Sequence, residues 1–526
     1  MKPTDRSSTG WRRVRVVVET AATVSLHAAP VLFVFAILAT LLVESLCPGE
    51  TWSLEAWSNV ISDSERWGSL IENTAVATGI CLAGLAVVGT PLAGVIFKTN
   101  AAGSGLACAL LVVAASLPIH VTGASLVAPG GPTIPSRSPV ELGLAHGVAH
   151  LPIFVLLVGS ALLRVPRALE EAAMTDGCSP WRTLWTVTLP NARSGFVIAG
   201  LLAGIWMSTD HAISDLLLVR TFAEEVSTQF QTAARAAEPT VLAVPQTIVL
   251  GALLWMLSRH VTPSADDPLR TGGLRWSLGR WRGPVSLISI LACTTLIGWP
   301  LARLLASLPE GRGLAYYAAV FRPELETSVP TSFAAGAICA MLAAGLAWRV
   351  CRGGKPRIVL GLWLATSLAT SAPVLGFGLV RVANRWLGPL YDSPAILTTV
   401  FVLRFLPIAV LLLVPVVRTI PQDLEHAARV DGSSDARILW HVIHPLAARG
   451  TVIAFVVVTI LSLGELSASL LVTPPGHMTI SQAFASKIHY GLAGEAAGLC
   501  LLALVCIAPL AIVLALLPWP RRDVRG

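Results

Sequence analysis

Twelve long apolar runs constrain this chain more than any other feature. They lie near 24–46, 72–97, 104–128, 143–164, 194–219, 240–258, 284–306, 328–350, 357–380, 395–418, 449–473 and 493–518. A helix satisfies its own backbone hydrogen bonds, and about 20 apolar residues of it span the hydrocarbon of a bilayer. Only 13% of the 526 residues are charged against 54% hydrophobic, and the mean hydropathy is +0.72. A soluble domain carries about a quarter charged residues. The expected fold class is an all-α polytopic membrane protein of about 12 transmembrane helices. The stretches 220–240 and 474–492 are too polar to span and read as external loops.

Basic residues set the orientation. With the N-terminus inside, 26 of the 37 Lys and Arg fall on inside segments, 10 outside, and Arg404 within a span. The positive-inside rule therefore places both termini in the cytoplasm. The net charge of +7 is accounted for by topology. No basic block stands away from the membrane edges, so nucleic acid is not an expected partner. The run from Val24 to Val43 is too long for the core of a cleavable signal, and no small-residue cleavage site closes it. The nine cysteines are scattered through apolar segments without a CxxC pair. They read as small buried hydrophobes, with neither a disulfide framework nor a metal site expected.

The chain also repeats itself. Residues 166–190, PRALEEAAMTDGCSPWRTLWTVTLP, align with 421–445, PQDLEHAARVDGSSDARILWHVIHP, at a fixed offset of 255. Pro166/Pro421, Glu170/Glu425, Ala172/Ala427, Ala173/Ala428, Asp176/Asp431, Gly177/Gly432 and Pro190/Pro445 are identical pairs. Upstream, LPIFVLL (151–157) matches LPIAVLL (406–412), and Pro118 falls on Pro373. A duplication explains this register. Six spans separate the two loops, an even number, so the halves are parallel rather than inverted repeats. The expected division is 1–68 for the N-terminus, first helix and external loop, and 69–260 for the first repeat unit. A linker, seventh helix and loop follow at 261–324, then the second unit at 325–518 and a basic tail at 519–526.

Each repeated loop reads as helix, glycine break, helix. Leu169, Ala172 and Ala173 recur at helical spacing, with Glu170, Glu171 and Asp176 on the other side. Gly177 then breaks the helix, and Leu184, Trp185 and Val187 lead on to Pro190. Such an element should lie along the cytoplasmic surface. It could merely rest on the headgroups, but two copies held in register favour a shared mechanical role, a knob for another protein to grip.

These loops resemble the EAA loop of permeases of binding-protein-dependent ABC importers, E-A-A-x-x-x-G followed by a hydrophobic-x-hydrophobic-Pro ending. Glu171-Ala172-Ala173, Gly177 and Leu189-Pro190 fit fully. The second copy has His426 in place of the Glu and His444 before Pro445, while Glu425, Ala427, Ala428, Asp431 and Gly432 are kept. The resemblance covers about 69–258 and 325–517. It implies two six-helix permease units of the type-1 fold in one chain, each loop forming a coupling helix on one of two ABC ATPase subunits, and an external substrate-binding protein as a further partner. The departure at His426 implies that the two ATPase contacts differ. It implies a bacterial inner membrane. Of the four lysines, none lies in a G-x-x-x-x-G-K-[ST] loop, since Gly353-Gly354-Lys355 runs into Pro356. No cofactor is expected, and ATP hydrolysis belongs on a separate subunit.

Charged residues within spans are costly and functional by default. Asp210 and Glu465 are equivalent under the 255 offset, Asp215 is expected one turn beyond Asp210 on the same face, and Arg404 is the isolated base. Two accounts fit these four: a structural Glu465–Arg404 pair, or acids lining a cation path. GELSASLLVTPPG (464–476) with HYG (489–491) is similar to the second half of permeases in the ferric-iron and thiamine group, and ISDLLL (213–218) to a degraded partner motif. That resemblance implies ferric iron as substrate, with thiamine, a polyamine or another small ion as alternatives. His477, His489 and Tyr490 read as external residues that dock the binding protein, because no ligand-spaced cluster forms. The rival classes are an ion-coupled secondary transporter and a membrane-embedded enzyme.

Overall fold

The computed structural model describes residues 6–47, 51–127, 138–232, 237–260, 274–352 and 355–517. The basic tail and most of the linker at 261–273 lie outside the described residues. Ten helices among those described are long and apolar enough to cross a membrane: His27–Leu46, Ser64–Lys98, Pro139–Leu163, Pro180–Thr209, Ala237–Trp255, Gly279–Ala306, Arg322–Arg352, Ala395–Arg418, Asp435–Leu463 and Ala493–Leu516. Two further apolar runs are broken. Ser104–Ala115 meets Ile119–Leu126 at 90°, and Arg357–Ala369 meets Ala372–Trp386 at 108°. Pro118 closes the first break and Pro373 stands in the first turn after the second, one repeat apart, and proline withholds the N–H that would carry a helix through.

Each broken pair counts as one crossing, and a contact shows why. Lys98, before the first pair, binds Glu170, after the helix Pro139–Leu163, at 2.6 Å. The chain between them has therefore crossed and returned. Arg352 and Glu425 bracket the second pair in the same way. With each bent pair taken as one span, the described residues hold twelve candidate crossings, six to a half.

Sequence spacing misplaces two spans. The runs near 194–219 and 449–473 belong to helices that start at Pro180 and Asp435 and end at Thr209 and Leu463. Pro190 and Pro445 do not separate loop from span, because one wide π turn precedes each, Leu184–Thr188 and Leu439–Ile443. A third π turn, Leu85–Gly89, stands before Pro91. In all three the carbonyl four residues before the proline falls within the π turn, where the ring would otherwise clash.

The polar stretches do not span, yet they are not plain loops. Phe222–Thr232 and Ile480–His489 are helices. Ser481, Gln482 and Phe484 are buried, and Thr479 and Gln482 close a capping box that satisfies the helix N-terminus.

The halves exchange helices. His27–Leu46 packs in the core of the second half, where a Cβ at Gly378 would lie 2.4 Å from Ile37 and one at Gly345 would meet the His27 ring. Gly279–Ala306 crosses the other way. Its Cys293 is buried in the first half's core, and Ser286 Oγ accepts from the Ala102 N–H at 2.7 Å.

Candidate functional site

The loop helices Arg167–Thr175 and Gln422–Val430 have the same length and differ by the repeat offset at both ends. Both close identically. Gly177 N–H donates to Met174 O and Cys178 N–H to Ala173 O, both at 3.0 Å. In the second copy Gly432 donates to Arg429 and Ser433 to Ala428. This is a Schellman turn, whose glycine takes the left-handed conformation, with φ of 85° and 78°. A Cβ at either glycine would meet nothing within 4 Å, so backbone φ, not crowding, selects glycine here. Ser179 and Ser434 cap the next short helix by accepting from Arg182 and Arg437 N–H.

One carboxylate anchors each loop. Glu170 is wholly buried. Its Oε1 accepts from Lys98 Nζ at 2.6 Å and from Thr188 Oγ1 at 2.7 Å, and its Oε2 from the Leu274 N–H at 2.8 Å. Glu425 accepts from Arg352 Nε at 2.7 Å, from Arg352 Nη2, and from Trp348 Nε1 at 2.9 Å. These two acids face the bundle and hold the loops to it. The residues turned outward are Glu171, Ala172, Asp176, His426, Ala427 and Asp431, with Ala173 and Ala428 half-buried beside them. Glu171 pairs with Arg167 at 2.6 Å; the corresponding second-loop residues are His426 and Gln422. Exposed apolar side chains flank both helices: Leu169, Met174, Trp181 and Trp185 on the first, Leu424, Val430 and Trp440 on the second.

The intramembrane charges gather where the halves meet. Arg404 Nε donates to Glu465 Oε2 at 2.9 Å, and the Ala468 N–H to Oε1 at 2.8 Å. Asp210 caps its helix end and accepts from the Ile213 N–H at 3.3 Å, within electrostatic reach of Arg404 and Glu465. Across the interface, Ser467 Oγ and His211 Nδ1 share a hydrogen bond of 2.7 Å, and a Cβ at Gly464 would lie 3.1 Å from Pro118. Asp215 is not part of this group. The helix stops at Thr209, Asp210 is extended, and Asp215 sits on the separate turn Ala212–Leu216, paired with His489 at 3.1 Å. Sequence reading passed over His146, His150 and His211, although His146 and His150 are two ionisable residues one turn apart inside an apolar run. It also passed over Trp348 and Arg352, whose roles depend on helix packing.

Two stretches, residues 86–266 and 335–522, match the family model described as "Binding-protein-dependent transport system inner membrane component". The chain belongs to this family. Its members are permease subunits rather than enzymes, and two copies of the unit lie in this one multi-pass membrane chain. The chain is 23% identical over 349 residues to the Fe(3+)-transport system permease protein FbpB 2 of Haemophilus influenzae, covering 64% of this chain and 68% of that one. It is 28% identical to the molybdenum transport system permease protein ModB of the same organism, covering 25% of this chain and 59% of the relative. With the trehalose transport system permease protein SugB of Mycobacterium tuberculosis it shares 30% identity, over 29% of this chain and 56% of that protein. The chain spans less than two thirds of the latter two permeases.

Proposed function

We propose that this chain supplies both membrane halves of an ABC importer in a bacterial inner membrane, with both termini in the cytoplasm. Each loop docks one of two ATPase subunits carried on separate chains. An external binding protein delivers the solute, which passes between the halves. The observation that carries this reading is the pair of loop helices, equal in length, closed by the same glycine turn and anchored by the same buried carboxylate. Ferric iron is the proposed substrate. The alignment with the Fe(3+) permease is longer than either half, and the GELSAS segment supplies Ser467, which meets His211 across the halves. Molybdate and sugars, named for other relatives, are the competing outcomes.

Gly177→Arg and Gly432→Arg chains should insert normally but lose copurifying ATPase, because an arginine there projects into the docking surface from a φ it disfavours. Uptake of radioactive iron should fall with them. Normal ATPase retention and uptake in both variants would remove the coupling assignment. Uptake of molybdate or trehalose in place of iron would replace the substrate.

A further inference from the structure

The repeat makes a comparison possible between the two intramembrane acids. Glu465 is fully used, by Arg404 and the Ala468 N–H. The residue equivalent to Arg404 in the first half is Ala149, and where the second half has Phe401 and Phe405 the first has His146 and His150. Asp210 therefore has no arginine from the corresponding helix. Its Oδ2 lies 3.9 Å from His146 Nε2, with that side chain wholly buried and the acid 16% exposed. A separation of 3.9 Å is too long for a hydrogen bond, and among the described residues His146 Nε2 has no hydrogen-bond partner. A buried ring nitrogen left unpaired calls for an explanation.

The other ring nitrogen supplies one. His146 Nδ1 is 3.4 Å from His150 Nε2. With its proton on Nδ1, donated to His150, the His146 ring turns a lone pair at Nε2 toward the Asp210 carboxylate. Two acceptors then face each other across a gap, one of them anionic, beside the His211–Ser467 contact between the halves.

We propose that His146 Nε2 and Asp210 Oδ2 form a cation subsite on the transport path, whereas Glu465 is structural. The inference rests on the permease reading and assigns a ligand class to its central site. Two ligands bind weakly, as a conducting site must if the ion is to leave it. Imidazole with carboxylate suits iron, and the same acceptors suit an ammonium group.

The test uses the full chain in lipid nanodiscs, with ferric citrate labelled with radioactive iron and, separately, labelled methylammonium. One of the two cations should bind saturably, iron identifying a metal path and methylammonium an amine path. His146→Phe and Asp210→Asn should each weaken that binding at least about tenfold, or 1.4 kcal/mol. Ala149→Arg should do the same by giving Asp210 the partner that Glu465 already has, which keeps the proposal testable if a deletion variant misfolds. His489→Ala, which removes the exposed His489–Asp215 pair, should leave binding intact. Binding of neither cation, binding that survives all three variants, or binding lost only with His489→Ala overturns the subsite. Copurification of ATPase with the unaltered chain checks the permease reading independently.

Discussion

At Glu465 both carboxylate oxygens are occupied by donors, one from Arg404 and one from the Ala468 backbone. An unpaired charge at this depth costs about 2.5–3.5 kcal/mol on insertion scales, and removing one partner leaves the other to bear it. Glu465→Gln is therefore expected to lower the folded yield, and adding Arg404→Gln to restore most of it, as read by the monodisperse fraction after detergent extraction. A yield unchanged by the single substitution would show that the pair does not hold the fold. The sequence placed Asp210, Arg404 and Glu465 at membrane depth because they interrupt apolar runs. It offered the Glu465–Arg404 pair as one of two accounts but could not choose between them, since partner choice depends on how two helices face. Asp215 shows the same limit from the other side: a helical period carried past Asp210 puts it on the same face, but the helix ends first.

Among the elements, the two loops share a backbone and differ in their anchors. Lys98 and Glu170 are both fully buried, whereas Arg352 retains 18% exposure beside Glu425. Breaking a buried pair by removing one partner costs about 3–5 kcal/mol, and a partner that reaches water suffers less. Glu170→Ala should accordingly lower the thermal midpoint more than Glu425→Ala, measured on the purified chain by intrinsic tryptophan fluorescence. Equal shifts would mean that burial of the base does not set the cost. The loops themselves were legible, because glycine, proline and alanine carry their meaning locally: Gly177 and Gly432 mark the αL turn wherever they occur. The anchors were not, since Lys98 lies 72 residues from Glu170 and Trp348 77 residues from Glu425. Pro118 and Pro373 lie inside the apolar runs 104–128 and 357–380, which the sequence presents as single spans. Only the packing shows bends of 90° and 108°.

The whole molecule is interlocked in a way that a linear division of the sequence does not convey. Apolar runs count the crossings and the repeat fixes their parity, but neither says which half a helix packs against. His27–Leu46 enters the core built by the second repeat, and Gly279–Ala306 enters that of the first. The glycine notch at Gly378 is part of the reason, for it lets Ile37 and Leu41 approach the backbone, as small residues do at helix interfaces in membranes. Each half thus depends on a helix contributed from the other side of the linker. Cutting the gene between Arg270 and Thr271 should yield two fragments that copurify when made together, while each made alone should be degraded. Adding Gly378→Leu to the second fragment should reduce the recovered pair, because its Cβ would lie 2.4 Å from Ile37 and the two helices would have to separate. Two fragments that fold and purify independently would show instead that the exchanged helices are peripheral, and that covalent linkage alone holds the halves together.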